Sequence, residues 1–258
     1  MKTFVSGITV GIANIIPGLS GGTILTITGL FDEVILALRS PLKHLRLLVP
    51  LALGVLLGLV GFSFAVRFLL NVAYIPTIFF FMGIVIGGAL LFYQQELPDQ
   101  KDFKTPIVLL GLALVLSLDF FPTADNSSLV LFLLSGFFAG ATMILPGLSG
   151  ALIFMILGQY ETALALIIQL TAFDLEALGL LLALLISGVS GIFAMAFVLR
   201  RFLEKRRKLL INVILGLILG SVYQMTPTPP LDLWWFTAIL TLPAGMYVGS
   251  LFYKTKGA

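Results

Sequence analysis

The string PGLSG occurs twice, at Pro17–Gly21 and Pro146–Gly150, 129 residues apart and each time inside an apolar run. Proline removes a backbone donor and crowds the preceding turn, and glycine loses more entropy on ordering than other residues, so neither copy can sit quietly inside a helix. Each copy forces the chain out of the helix in a segment with no polar side to turn outward. A break repeated at one offset is a part used twice.

The likeness runs beyond the motif. Gly11–Leu38 (GIANIIPGLSGGTILTITGLFDEVILAL) lies over Gly140–Leu166 (GATMILPGLSGALIFMILGQYETALAL). Gly11, Pro17, Gly18, Leu19, Ser20, Gly21, Ile24 and Gly29 meet Gly140, Pro146, Gly147, Leu148, Ser149, Gly150, Ile153 and Gly158. Weaker echoes follow: Gly58 and Gly61 are answered by Gly188 and Gly191, and Met82–Gly87 (MGIVIG) by Leu215–Gly220 (LGLILG). The chain therefore reads as two internal repeats, 3–121 and 129–253, inside a single transmembrane domain covering 1–258.

Composition supplies the environment. With 59% hydrophobic and 10% charged residues and a mean hydropathy of +1.14, the chain is too apolar for a water-facing surface. Crossing the ~30 Å hydrocarbon core takes about 20 apolar residues. Leu47–Leu70, Pro76–Gln95, Pro106–Phe121, Ala177–Leu199, Leu209–Met225 and Leu233–Tyr253 read as six such spans, Pro106–Phe121 being the shortest. The expected fold class is an all-α polytopic membrane protein. There is no cysteine, which excludes disulfides, thiolate catalysis and thiolate metal sites. The N-terminal run carries a single Lys2 and no small-residue cleavage pattern, and its body is copied in mid-chain, so it is expected to be retained.

Lys and Arg concentrate on the cytoplasmic side of membrane proteins, which tests the direction of each half. If Thr3–Leu38 and Leu129–Ile168 dip in and return, and the six spans cross, then Lys2, Arg39, Lys43, Arg46, Lys101, Lys104, the six bases of Arg200–Lys208, Lys254 and Lys256 share one side. That is 14 of the 15 basic residues, with Arg67 alone near the other face. If the broken stretches cross instead, the basic residues split 10 against 5. The dipping arrangement puts three full crossings in each half, so the second half starts on the opposite side. It predicts an inverted repeat of two halves, each a re-entrant helical hairpin plus three transmembrane helices, with both termini cytoplasmic in the inner membrane. Thr3–Ile16 and Gly21–Leu38 would form arms of roughly 21 Å and roughly 27 Å. Trp234 and Trp235, the only tryptophans, fall where an aromatic belt is expected.

Backbone outside a helix within a bilayer must be buried in protein or line a polar cavity. The second arm of each hairpin starts at the glycines, and its first N–H groups and positive dipole end favour an anion, phosphate above all. Asn14, Pro17, Gly18, Ser20, Gly21, Gly22 and Thr23 in one corner, and Thr142, Pro146, Gly147, Ser149 and Gly150 in the other, are the candidate binding residues. The competing reading is that Pro-Gly makes a tight turn and the small residues permit close helix packing.

The motifs GIANIIPGLSGGTI with GLFDEVI, and ATMILPGLSGALI with GQYE, resemble the bacterial and archaeal family of PopT-type polyprenyl-phosphate transporters, over essentially the whole chain. The resemblance implies a flippase that returns undecaprenyl phosphate or a related polyprenyl phosphate from the outer to the cytoplasmic leaflet for cell-wall and surface-glycan synthesis. Ala151 where the first copy has Gly22, and Met143 where it has Asn14, make the corners chemically unequal.

Asp32 aligns with Glu161, and Glu33 lies beside it. A carboxylate within a hairpin arm either carries protons that drive uptake or marks where the arm reaches water. Arg67, in FAVRFLL, either clamps an arriving phosphate with its guanidinium fork or snorkels to the outer headgroups. The block RRFLEKRRK serves as a topology signal, and His44 sits in a solvated loop. No metal-ligand cluster, nucleophile with a His base or GxxxxGK[ST] loop is present, so neither an enzyme, a cofactor nor a metal is expected. The expected partners are the polyprenyl phosphate lipid and the bilayer, with no nucleic acid and a homo-oligomer left open. The alternative function is a small-anion secondary transporter or channel.

Overall fold

The computed structural model describes residues 2–14, 20–117, 128–146, 148, 150–159, 162–163, 166, 175–227 and 233–254. The elements among them are helices: α1 (Lys2–Ala13), α2 (Gly21–Ile27), α3 (Phe31–Ala37), α4 (Leu45–Val72), α5 (Tyr74–Glu96), α6 (Thr105–Ser117), α7 (Leu129–Ile144), α8 (Gly150–Ile156), α9 (Leu175–Lys205), α10 (Arg207–Gln224) and α11 (Ala238–Lys254). Short 3₁₀ turns precede α4, α6 and α11.

Helices α4, α5, α9 and α10 are long and apolar enough to cross a membrane. Large apolar side chains stand exposed along α4 (Leu53, Leu56, Val60) and α9 (Leu182, Leu185, Ile186). A water-soluble domain rarely exposes such contiguous apolar surface, and here it faces hydrocarbon. The fold is that of a multi-pass helical membrane protein. Two of the six expected spans are represented by shorter helices. Thr105–Ser117 stops where the described residues stop, and the Leu233 segment opens as 3₁₀ (Leu233–Thr237) before α11. The Trp235 ring packs edge-on against Phe79 of α5, with centroids 5.3 Å apart.

Lipid tails are as apolar as leucine, so helices in a bilayer associate by close packing rather than by escape from water. Glycines carry that packing here. A Cβ on Gly7 or Gly11 of α1 would strike the α4 backbone at Leu51 or Val55. Of the matching glycines of α7, Gly140 meets the α9 backbone at Gly188 in the same way, and Gly136 meets the Leu184 side chain. On α5, Gly83 and Gly87 meet the α11 backbone at Leu242 and Met246; on α10, Gly216 meets the α6 backbone at Val108.

The pairing pattern has a consequence for the architecture. Helix α1 packs on α4, and α7 on α9, inside their own halves. The last helix of each half does the opposite: α6 packs on α10 and α11 packs on α5. Each half thus lends its third long segment to the other. At the centre, Ile78 and Val85 of α5 and Ile211 and Ile218 of α10 are almost completely buried, and they occupy matching positions at an offset of 133.

The expected straight second arm is broken. Gly29 adopts φ 71°, a left-handed conformation that costs other residues about 1–2 kcal/mol. Leu30 N–H donates to the Leu25 carbonyl at 2.9 Å and Gly29 N–H to that of Thr26 at 3.0 Å, which closes α2 as a Schellman motif before α3 begins. Gly158, at the repeat offset, has φ 65°, and Gln159 N–H donates to the Phe154 carbonyl at 2.8 Å.

Candidate functional site

Ser20 is extended (φ −113°, ψ 151°) and caps α2. Its Oγ accepts the Thr23 N–H at 3.2 Å, lies 2.9 Å from Thr23 Oγ1, and donates to the Leu145 carbonyl at 3.2 Å. Ser20, Thr23 and Thr26 are buried, Thr26 Oγ1 donating to the Gly22 carbonyl at 2.9 Å. Being first in the helix, Gly21 and Gly22 have N–H groups with no acceptor inside it.

The facing surface is the end of α7 and the chain that follows. Thr142 Oγ1 donates to the Ala139 carbonyl at 2.9 Å, Leu145 is extended (φ −71°, ψ 122°), and Pro146 and Leu148 are buried. Gly22 lies so close to this segment that a Cβ there would strike the Ile144 carbonyl. The corner of one repeat is therefore seated on the approach to the corner of the other, joined by a hydrogen bond between residues 125 positions apart.

The matching glycines have more room. A Cβ on Gly21 would lie 3.2 Å from Val10 and 3.6 Å from Asn14 Nδ2, and one on Gly150 3.2 Å from the Ala139 carbonyl and 3.4 Å from Met143 Cγ. Val10 and Ala139, like Asn14 and Met143, are repeat equivalents, so the two glycines have matching neighbours of different polarity. Asn14 is exposed at the end of α1, its amide donating to the Val10 carbonyl.

A second polar cluster joins α3, α5 and α10. Arg207 donates from Nη1 to Asp32 at 2.6 Å, and from Nη2 and Nε to Glu96 at 2.7 and 3.2 Å. One guanidinium fork thus ties α3 to two long helices. Beside it, Lys208 pairs with Asp102 at 2.6 Å. Buried Asn212 accepts the Lys104 N–H and donates to the carbonyls of Asp102 and Lys208. Glu33 is exposed.

Ser20, Gly22 and Thr23 thus come together on Ile144 and Leu145 at one apposition, with Gly21, Asn14, Thr142, Pro146 and Gly150 on the segments that flank it. Asp32 stands apart, at the Arg207 cluster. Pro17, Gly18, Gly147, Ser149 and Glu161 lie outside the described residues, as does the side chain of Arg67 on α4. Sequence reasoning did not find the Asp32–Arg207–Glu96 bridge, whose members are 64 and 111 residues apart along the chain, nor the engagement of Ser20 by the protein itself. The differences between Gly22 and Ala151 and between Asn14 and Met143 were the available signals that the corners are unequal.

The chain matches the family model described as VCA0040-like, undecaprenyl phosphate translocase-like, over residues 10–238. A polyprenyl-phosphate transporter of Staphylococcus aureus (strain NCTC 8325 / PS 47) is 25% identical over 268 aligned residues, covering 94% of this chain and 92% of that protein. A polyprenyl-phosphate transporter of Vibrio cholerae serotype O1 (strain ATCC 39315 / El Tor Inaba N16961) is 26% identical over 252, covering 88% and 78%. No solved structure matches the chain. The matched span takes in both corners, the Arg207 cluster and the four membrane-length helices α4, α5, α9 and α10, and the chain belongs to the VCA0040-like, undecaprenyl phosphate translocase-like family.

Proposed function

We propose that this protein is a flippase for undecaprenyl phosphate or a related polyprenyl phosphate, returning it from the outer to the cytoplasmic leaflet for wall and surface-glycan synthesis. The phosphate head binds at the apposed corners while the isoprenoid tail stays in lipid. The observation that carries this reading is the Ser20 to Leu145 contact, which seats a buried helix start, with Thr23 and the leading N–H groups of Gly21 and Gly22, on the other repeat. Charge on the head is what hydrocarbon opposes, so binding energy is needed there. On this reading the head takes over the hydroxyl that Ser20 now gives to Leu145, and Ser149 with Gly147 and Gly150 supplies the second side. Asn14, Pro17, Gly18, Thr142 and Pro146 shape the corners, and Arg67 meets the head on its way from the outer leaflet. The names of both relatives support the substrate class.

The halves are inserted in opposite directions, each hairpin re-entering from its own side. The exchanged pairs α6–α10 and α5–α11 then form a frame across which the units α1–α4 and α7–α9 rock, exposing the corners first outward and then inward. Asp32 and Glu161, with Glu33 beside the first, carry the driving protons. Protonating Asp32 would cancel one arm of the Arg207 bridge and release α3 from α10.

Proteoliposomes loaded with a fluorescent polyprenyl phosphate test the reading. The protein should move the lipid between leaflets, and the Gly22→Val variant should not. Equal movement in protein-free vesicles, or flux of a small inorganic anion without lipid movement, would overturn it. Cysteines at Asp125 and Asp174 should both react with an impermeant thiol reagent in intact cells and one at Lys205 should not; labelling of Asp125 and Asp174 from opposite sides would reject the inverted arrangement.

A further inference from the structure

At the far end of the first hairpin arm, a groove of about 210 Å³ opens between α3 and α9. Its walls are Ile35 and Leu38 on one side and Phe193, Ala196 and Phe197 on the other, and its rim carries Arg39 and Arg200. Phe193 and Phe197 lie on the face of α9 that stands open to hydrocarbon, being 38% and 69% exposed. The groove therefore runs from a cationic rim into lipid.

The charges at the rim set what fits. Arg207 is tied to two carboxylates and Lys208 to one. Arg39 is exposed and makes no ion pair among the described residues. Among the described residues Arg200 reaches only Glu204, one turn further along the same helix, at 2.6 Å; the Arg200 side chain is 20% exposed and that of Glu204 48%. A partly exposed pair between residues one turn apart is weak and is exchanged for a better acceptor. Two guanidinium forks flanking an apolar slot suit a phosphate monoester, which offers three oxygens and close to two charges.

We infer that the Arg39–Arg200 groove is a second binding site for a phosphate-monoester lipid with a single slender tail, the place where the head rests in the cytoplasmic leaflet after leaving the corners. The inference rests on the proposed function and topology, and names the inner station of that path. Helix α2 begins at the corner and α3 ends two residues before Arg39, so one broken arm joins the two stations. A groove of about 210 Å³ holds the first units of one chain, where a glycerophospholipid would bring two.

A farnesyl phosphate bearing a diazirine on its first isoprene unit, photolysed with the full-length protein in nanodiscs, reads the site directly. Peptides containing Phe193 and Phe197 should be labelled, and Arg39→Gln with Arg200→Gln should lower that labelling about tenfold, as expected for lost charge-assisted hydrogen bonds. Corner peptides should stay labelled in this variant. Arg39→Lys with Arg200→Lys should recover part of the signal. Geranylgeranyl phosphate should compete; inorganic phosphate and phosphatidylglycerol at equal concentration should not. Labelling confined to the corners, or unchanged in the Gln variant, overturns this inference and leaves the proposed function standing. Competition by phosphatidylglycerol makes the groove a general anionic-lipid site, and competition by inorganic phosphate removes the role of the tail; both overturn it as well. Absence of any specific labelling overturns the inference and the proposed function together.

Discussion

The two broken arms share a backbone and differ in their surroundings. Gly29 and Gly158 both take left-handed conformations, and both are followed by the same long hydrogen bond, Leu30 to Leu25 and Gln159 to Phe154. Beyond that hydrogen bond the copies diverge. Asp32 is held by Arg207, which Glu96 also grips; the position matching Arg207 at the offset of the long helices is Tyr74, which carries no charge. Local shape was set by glycine spacing in both copies, whereas chemistry was set by which distant helix happens to lie alongside. A duplicated part can therefore keep its geometry while its two copies take unequal tasks.

The largest expected effect tests the unequal packing of the corners. Gly22→Val places a branched side chain into the Ile144 carbonyl, and overpacking of this kind should cost about 3 kcal/mol and abolish lipid movement. Gly21→Ala, whose Cβ would have Val10 at 3.2 Å, should stay within about 1 kcal/mol of the parent. Unfolding in detergent with both variants checks this, and equal losses would contradict the asymmetry.

Next in size is the shared backbone. Gly29→Ala and Gly158→Ala should each destabilise by about 1–2 kcal/mol through the left-handed conformation. Losses that differ by more than the measurement error would mean that one arm relaxes and the other does not.

Ser20→Ala removes a helix cap together with the bond to Leu145, and should cost about 1 kcal/mol. The same change at Ser149 sharpens the comparison, because a larger transport defect at one serine would identify the corner that holds the head more tightly.

The smallest stability effect belongs to the ionic bridge. Arg207 is 42% exposed on its side chain, so Arg207→Gln should lower stability by no more than about 1 kcal/mol. Its readout is transport against pH: Asp32→Asn should flatten that profile, and Glu161→Gln should do so to a different degree. Profiles unchanged in both variants would remove the proton role from the two carboxylates.

Much of the architecture was legible in the sequence, because hydrocarbon leaves few choices: apolar runs of sufficient length become helices, since no water is available to satisfy the backbone otherwise. The repeat placed Gly29 and Gly158 at one offset, and both take the left-handed turn that glycine enters without strain, although the arm was expected to run straight through them. One expectation needed correction in detail. The second arm is two short helices rather than one, because the αL glycine that aligned the repeats also ends the helix. Ser20, a candidate binding residue in the sequence, caps its own helix and donates to Leu145.

Sequence alone determined the apolar helical class, the doubling and the turn glycines, all of which depend on neighbours within a few residues or on bulk composition. Tertiary structure decided the exchange of α6 and α11 between halves, the seating of Gly22 on Ile144, and the grip of Arg207 on Asp32 and Glu96. The physical reason is that lipid rewards no particular apolar partner over another. Which glycine face closes on which helix is settled by shape complementarity between surfaces far apart in the chain, and the ion pairs follow from that choice.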